Sequence, residues 1–207
     1  RPSAVIEGIF ITEDDKNRFS YQKLEDEKKY KQIAGPFKSA QSFTEGIAIV
    51  CKEDEHISAI DTKGEEVFKL TPDGSVEFKN VGQCYDGMIV FQDQNGFYGY
   101  LDIKGKIAIK PTYDMASDFN GGFARVVKRS KDKDKDKVQI IDKEGKVNDV
   151  DYAYVGPVDN NRVAYSNSKN EYGIVDISKS KEKVLNASSK FERIILEQND
   201  IYYSADN

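Results

Sequence analysis

The chain has 207 residues, of which 32% are charged and 38% hydrophobic, with 12 Tyr, 11 Phe, no Trp and a formal net charge of −5. So many aromatic side chains exclude a disordered chain, and the mixing of Lys/Arg with Asp/Glu along the whole length leaves no basic face for duplex nucleic acid. No apolar run approaches the roughly 18 residues of a membrane-spanning helix, and Cys51 and Cys84 make neither a disulfide framework nor a metal motif.

Read from the N-terminus, short apolar runs leave a turn residue at regular intervals. They start at Gly8 (GIFIT), Gly46 (GIAIV), Gly87 (GMIVF), Gly122 (GFARV), Asn161 (NRVAY) and Asp200 (DIYYS), spaced 38, 41, 35, 39 and 39 residues apart. Gly, Asn and Asp tolerate left-handed or turn backbone, so each run is predicted to be a strand leaving a turn. The one stretch with some helical spacing, Tyr21 to Ile33, falls in strand phase and is assigned to strands. Nine residues ahead of the turn positions stand Phe37, Phe78, Tyr113, Tyr152 and Phe191, which mark the repeat starts and are expected to pack between repeats.

The second landmark is an aspartate that ends a run of β-formers: Asp61 (ISAID), Asp102 (YGYLD), Asp142 (VQIID) and Asp176 (YGIVD). Three of them lead to Gly64, Gly105 and Gly145, and Asp at the first with Gly at the fourth position is the preference of a type I turn. The run KDKDKDK, Lys131 to Lys137, lengthens one hairpin loop by insertion. A third strand (EEVFKL, KIAIK) comes after each turn, and a short fourth carries the aromatic. A unit of three or four strands cannot bury both faces by itself and has to stack. The expected fold is all-β: tandem repeats of antiparallel strands over residues 1–207, one domain, arranged as a propeller-like ring of about five blades. The alternative is an open β-solenoid; GIFIT and DIYYS share one phase, which complicates closure by complementary half-blades.

Candidates for chemistry are few. The turn aspartates would form a ring of carboxylates on one rim, as a hydrolase needs, or would cap their own turns. Asp132, Asp134 and Asp136 have the odd-position spacing of a calcium loop, but Lys separates each pair, so a solvated hairpin tip is expected. His56, the single histidine, has no nucleophile or ligand partner placed beside it by the sequence. No catalytic, cofactor or metal residues are assigned. Tyr98-Gly99 and Tyr172-Gly173 are the pairs of interest: a glycine beside a ring can leave one face open. Tyr98, Tyr100 and Tyr172 are therefore the candidate ligand-binding residues, for a sugar or a clamped peptide.

Tyr98-Gly99-Tyr100-Leu101-Asp102, continued by Gly105, Ile107, Ile109, Pro111, Tyr113, Asp114, Phe119, Gly122, Ala124, Arg125 and Val126, resembles the bacterial WG repeat, also called the KWG repeat, with Tyr98 in place of the Trp. EYGIVD (Glu171 to Asp176) is a second copy, while HISAID and KVQIID keep the frame with Ile57 and Val138 at the Trp position. The resemblance implies a bacterial β-repeat protein, of a kind often found in envelope or multidomain proteins and without one shared activity. From the repeats and the resemblance together, the expected function is a non-enzymatic module for protein–protein interaction or scaffolding, exported or at the cell envelope. The alternative is a carbohydrate or cell-wall glycan-binding module using exposed tyrosines. A protein is the expected partner, a glycan the other; nucleic acid is not.

Overall fold

The computed structural model describes residues 8–70, 76–131, 137–148, 154–159, 161–167, 169–177, 182–197 and 200–205, and these contain strands and turns but no helix. Tyr21 to Ile33 is two strands and the turn between them, as its place in the repeat requires. The first sheet is β1 (Ile9–Glu13), β2 (Phe19–Asp26) and β3 (Lys29–Phe37) in that order. The second runs β4 (Ser39–Ala40), β5 (Ile47–Cys51), β6 (Ile57–Asp61) and β7 (Glu66–Lys69). The third is β8 (Phe78–Tyr85), β9 (Met88–Asp93), β10 (Tyr98–Asp102) and β11 (Ile107–Tyr113). The fourth is β12 (Met115–Ala116), β13 (Phe123–Lys128), β14 (Lys137–Asp142) and β15 (Val147–Asn148). The fifth is β16 (Tyr154–Asp159), β17 (Arg162–Ser166), β18 (Tyr172–Asp176) and β19 (Glu182–Ser188), and β20 (Phe191–Glu197) with β21 (Asp200–Ala205) make the last. Each sheet joins chain neighbours only, the up-and-down meander of which propeller blades are made.

The turn chemistry repeats as closely as the strands. Asp61 Oδ1 accepts from the backbone N–H groups of Lys63 (2.8 Å) and Glu65 (2.9 Å), while Gly64 N–H donates to the Asp61 carbonyl (2.9 Å) at φ 86°. Asp102 does the same with Lys104 and Lys106 (2.8 and 2.9 Å), and Asp142 with Glu144 and Lys146 (3.1 and 2.8 Å). This is a type I turn closed by a left-handed residue, a standard three-residue hairpin connection. The motif also recurs where Asp14 and Asn167 take the Asp position and Asn17 (φ 55°) and Asn170 (φ 58°) the Gly position.

On the repeat read from the turns, which the successive sheets follow, a doubled period is superimposed. The second and fourth sheets open with two-residue strands, β4 and β12, whereas the third opens with the eight-residue β8 and the fifth with the six-residue β16. In sequence, Ala40, Phe43, Gly46, Ala48 and Val50 recur as Ala116, Phe119, Gly122, Ala124 and Val126, each 76 residues later (122 − 46). The backbone agrees: the isolated bridge Thr44↔Ile47 reappears as Asn120↔Phe123, and Gln41 N–H to Ile49 C=O as Ser117 N–H to Arg125 C=O. Where Phe43 or Phe119 plugs the core (5% and 1% exposed), its segment leaves the sheet early and the first strand shortens.

The chain divides into two compact units, residues 1–95 with 100–107, and residues 96–99 with 108–207. In the first, Tyr21, Phe37 and Phe43 anchor one core; the Phe37 and Phe43 rings lie 6.1 and 5.0 Å from that of Tyr21, whose hydroxyl donates to the Gln41 carbonyl at 2.6 Å. A neighbouring core holds Phe68, Ile89, Phe91 and Leu101, with Phe78 edge-on to Phe91 at 5.1 Å. In the second unit Ile140, Val163, Tyr165, Val175 and Ile177 form one core, and Ala164, Ile174 and Ile194 another, against which Phe191 packs. The expected aromatic column is thus a set of packing residues of two kinds. Phe37 and Tyr113 end the last strand of a sheet, and Phe78 and Phe191 open a first strand; Tyr152 lies outside the described residues.

Each turn glycine faces the last strand of the preceding sheet. A Cβ on Gly64 would run into the Ile33 carbonyl, one on Gly105 would lie 2.6 Å from the Phe68 ring, and one on Gly145 would meet Ile109 at an ordinary 3.5 Å. The positive φ suits the turn, and at the first two positions the missing side chain also lets neighbouring sheets close.

Candidate functional site

The three tyrosines expected from the sequence as ligand-binding residues differ in their surroundings. Tyr100 is 0% exposed, because β10 is an inner strand covered on both faces, so it is withdrawn as a ligand-binding residue. Tyr98 and Tyr172 are half-buried at the first position of their strands. Their glycines admit neighbouring atoms that a side chain would displace. A Cβ on Gly99 would sit 2.5 Å from the Ile109 oxygen and 2.8 Å from the Pro111 nitrogen, so glycine is what lets β11 approach. A Cβ on Gly173 would meet the Leu185 oxygen and the Tyr165 ring, both at 2.7 Å; Tyr165, its cross-strand partner, lies over that gap.

The carboxylate rim resolves in favour of turn capping for Asp61, Asp102 and Asp142, whose Oδ1 atoms are held by their own turns. Asp176 sits at the end of β18, and the turn beyond it lies outside the described residues, as do Asp132, Asp134 and Asp136. Among the described residues no group of three or more His, Cys, Asp and Glu is arranged to hold a metal ion, and no helix is long and apolar enough to cross a membrane.

Two arrangements in the first unit go beyond the sequence expectations. One is a clamp. Glu45, at φ 50° in the turn before β5, reaches the next repeat's equivalent turn. Its Oε1 accepts from Asp86 N–H (2.6 Å), and its Oε2 from Gly87 N–H (2.8 Å) and the Cys84 thiol (3.2 Å). Thr44 Oγ1 accepts from Cys84 N–H (3.1 Å) beside it. Burial works to raise the Glu45 pKa, but the Gly87 N–H, the Cys84 thiol and the Asp86 N–H outweigh it and hold the carboxyl below its ordinary value. The sequence signal is the acid before the turn glycine, in Glu7-Gly8, Glu45-Gly46 and Asp86-Gly87.

The other is a cleft of about 360 Å³ lined by segments of both first strands, β4 and β8, among them Ser39, Gln41, Phe78 and Val81. A smaller hollow of about 160 Å³ shares Glu55, Ile57 and Phe78 with it and adds His56, Asp54 and Leu70. Gln41 closes the inner end, donating Nε2 to the Val81 carbonyl at 2.7 Å. At the mouth Lys38 Nζ lies 2.5 Å from Glu55 Oε1, a pair that raises the Lys38 pKa and lowers that of Glu55. Burial pushes the Cys51 thiol up against the pull of Lys38, which keeps this cleft residue a neutral thiol at neutral pH. His56 Nδ1 is 2.9 Å from Asp54 Oδ2, a charge contact when the ring is protonated. The sequence places His56 correctly at a hairpin tip, but has no means of bringing Phe78 to it.

Comparison with known proteins bears on the second half of the third sheet and the first half of the fourth. Residues 98–131 match the family model described as WG containing repeat. This segment is a WG repeat. It starts at β10, the third strand of one sheet, and runs through β13, the second strand of the next, so the WG repeat is offset by half a sheet from the structural meander. No curated protein matches the chain. Among solved structures it is similar to Sqt1 of Saccharomyces cerevisiae (11% identity, 99% of this chain and 68% of that one, TM-score 0.49). It is also similar to the computationally designed Ika8 protein (12%, 96% and 65%, TM-score 0.48) and to the WD40 β-propeller domain of Doa1 (14%, 97% and 73%, TM-score 0.42).

Proposed function

We propose that this chain is a non-enzymatic binding module whose ligand is another protein. The supporting observation is the cleft beside β4 and β8: its volume is in the range of ligand sites, and two sheet-edge strands contribute to its wall. Repeat architectures offer such inter-repeat grooves as binding surfaces, and stacked sheets hold their walls rigid. The glycan alternative loses Tyr100, which is buried, and keeps Tyr98 and Tyr172, which are half-buried. Cross-linking and affinity capture from the native source, with the intact chain as bait, is expected to recover a defined protein partner. Recovery of none under mild conditions, across several cross-linker lengths, would count decisively against this reading.

A further inference from the structure

The first sheet has two faces of different character. The register pairs Phe10 with Gln22, Gln22 with Gln32 and Leu24 with Tyr30, so these side chains and Thr12 share one face. None of the six is charged, in a chain with 32% charged residues. Glu13, Lys23 and Lys31 fall on the other face, which also gives Ile9 and Tyr21 to the core shared with the second sheet. On the uncharged face Phe10 and Tyr30 meet edge to face at 5.7 Å, and Gln22 Nε2 donates to Thr12 Oγ1 at 3.1 Å.

The repeat bears on what this face does. Counting 38 residues on (46 − 8), Phe10, Thr12 and Gln22 correspond to Ala48, Val50 and Ile60, which are buried against Tyr21 and Phe37 of the first sheet. In the second sheet, therefore, these positions form the contact with another sheet. In the first sheet the same face is open, with Phe10, Leu24 and Tyr30 exposed by 37%, 47% and 62%. Large apolar side chains exposed side by side mark an interaction surface. We propose that two copies of the chain associate through this face, the first sheet of one lying on the first sheet of the other about a two-fold axis.

The absence of charge selects a second copy over an unlike partner. Near a two-fold axis each group meets its own kind, and a charge there repels itself, whereas a contact with an unlike partner gains specificity from opposed charges. Rings and amides carry no such conflict. Rings pack edge-on or offset against one another, and an amide such as that of the exposed Gln32 both donates and accepts. Three strands about 4.8 Å apart, each giving about five residues at roughly 3.3 Å, make a face of about 14 by 17 Å. That is well below the roughly 800 Å² per partner of a standard interface, so the association is weak and concentration-dependent. It neither needs nor excludes the cleft beside β4 and β8, and stands apart from the binding function proposed above.

Sedimentation velocity of the intact chain over a concentration series is expected to show monomer passing to dimer as the concentration rises toward about 1 mM. Tyr30→Lys puts a charge at the most exposed of the three positions and is expected to weaken association by about tenfold or more, with the thermal melt unchanged. Leu24→Lys is expected to do the same. Tyr30→Glu alone should also stay monomeric, and an equal mixture of Tyr30→Lys and Tyr30→Glu chains at low salt should recover the dimer, because unlike charges then face each other. A parent chain that stays monomeric throughout the series would overturn the inference, as would growth past the dimer. So would Tyr30→Lys and Leu24→Lys chains that dimerise like the parent. Monomeric variants whose mixture does not recover would remove the two-fold contact.

Discussion

Gly64 in the second sheet and Gly145 in the fourth close the same turn, three residues after an aspartate, with φ of 86° and 77°. Around them the molecule differs: Gly64 abuts the Ile33 backbone, Gly145 has the side chain of Ile109 at a relaxed distance, and Gly105 lies between these extremes against the Phe68 ring. The φ requirement is local and shared, so any graded response to a methyl group at these three sites reports how tightly each turn is pressed onto the preceding sheet.

The widest departure is expected at Gly64→Ala, where backbone must move in addition to the left-handed strain; a loss of about 4 kcal/mol is anticipated. Gly105→Ala should cost about 2–3 kcal/mol, because a ring can shift where a carbonyl cannot. For Gly145→Ala only the conformational term remains, about 1 kcal/mol. Urea denaturation of the full chain monitored by far-UV dichroism measures all three, and equal losses would show that packing against the preceding sheet adds nothing to the turn.

A second contrast is offered by the junction turns. Glu45 bridges to the turn at Asp86-Gly87, whereas the position 76 residues later is Gly121, where an added Cβ would lie 3.0 Å from the Asn161 amide oxygen. One junction is held by a carboxylate and the other leaves room for an amide, so only the first contributes a carboxylate's pH dependence at this position. The folded Glu45 pKa is lowered, so its contribution is present above the ordinary value of 4.5 and fades as pH falls through the folded value. Glu45→Gln keeps one acceptor oxygen and is expected to lose about 1 kcal/mol at neutral pH, a figure discounted for solvent exposure. That deficit should shrink on acidification below 4.5. Denaturation midpoints across that range check the sign: a gap that widens with acid would contradict the clamp.

How much of this is legible in the sequence depends on the range of the forces. Turn aspartates and glycines act within about five residues, so the caps at Asp61, Asp102 and Asp142 can be read directly. In Tyr21 to Ile33, repeat phase overrides a weak helical spacing. Tyr100 misleads because alternation in YGYLD does not reveal that an inner strand is covered on both faces. Gly99 looks like an opening and is a point of contact, since the β11 backbone that it admits lies about ten residues away in sequence. The doubled period is present in Phe43 and Phe119, yet the turn residues recur at the shorter interval and mask it. Gln41 and Phe78 line one cleft only because two sheets stack, which no local pattern encodes.

The Glu45 clamp has a mechanical side. It fastens one end of the second sheet to the third, while the cleft lies at the other end of β5, five residues or roughly 16 Å along the strand. Two plates riveted at one margin and parted at the other behave as a book held by its spine. Pressure applied between the pages is borne along that spine, where Thr44 and Gln41 hold Cys84 and Val81 beside the Glu45 contact, so spreading the sheets at Phe78 loads all three.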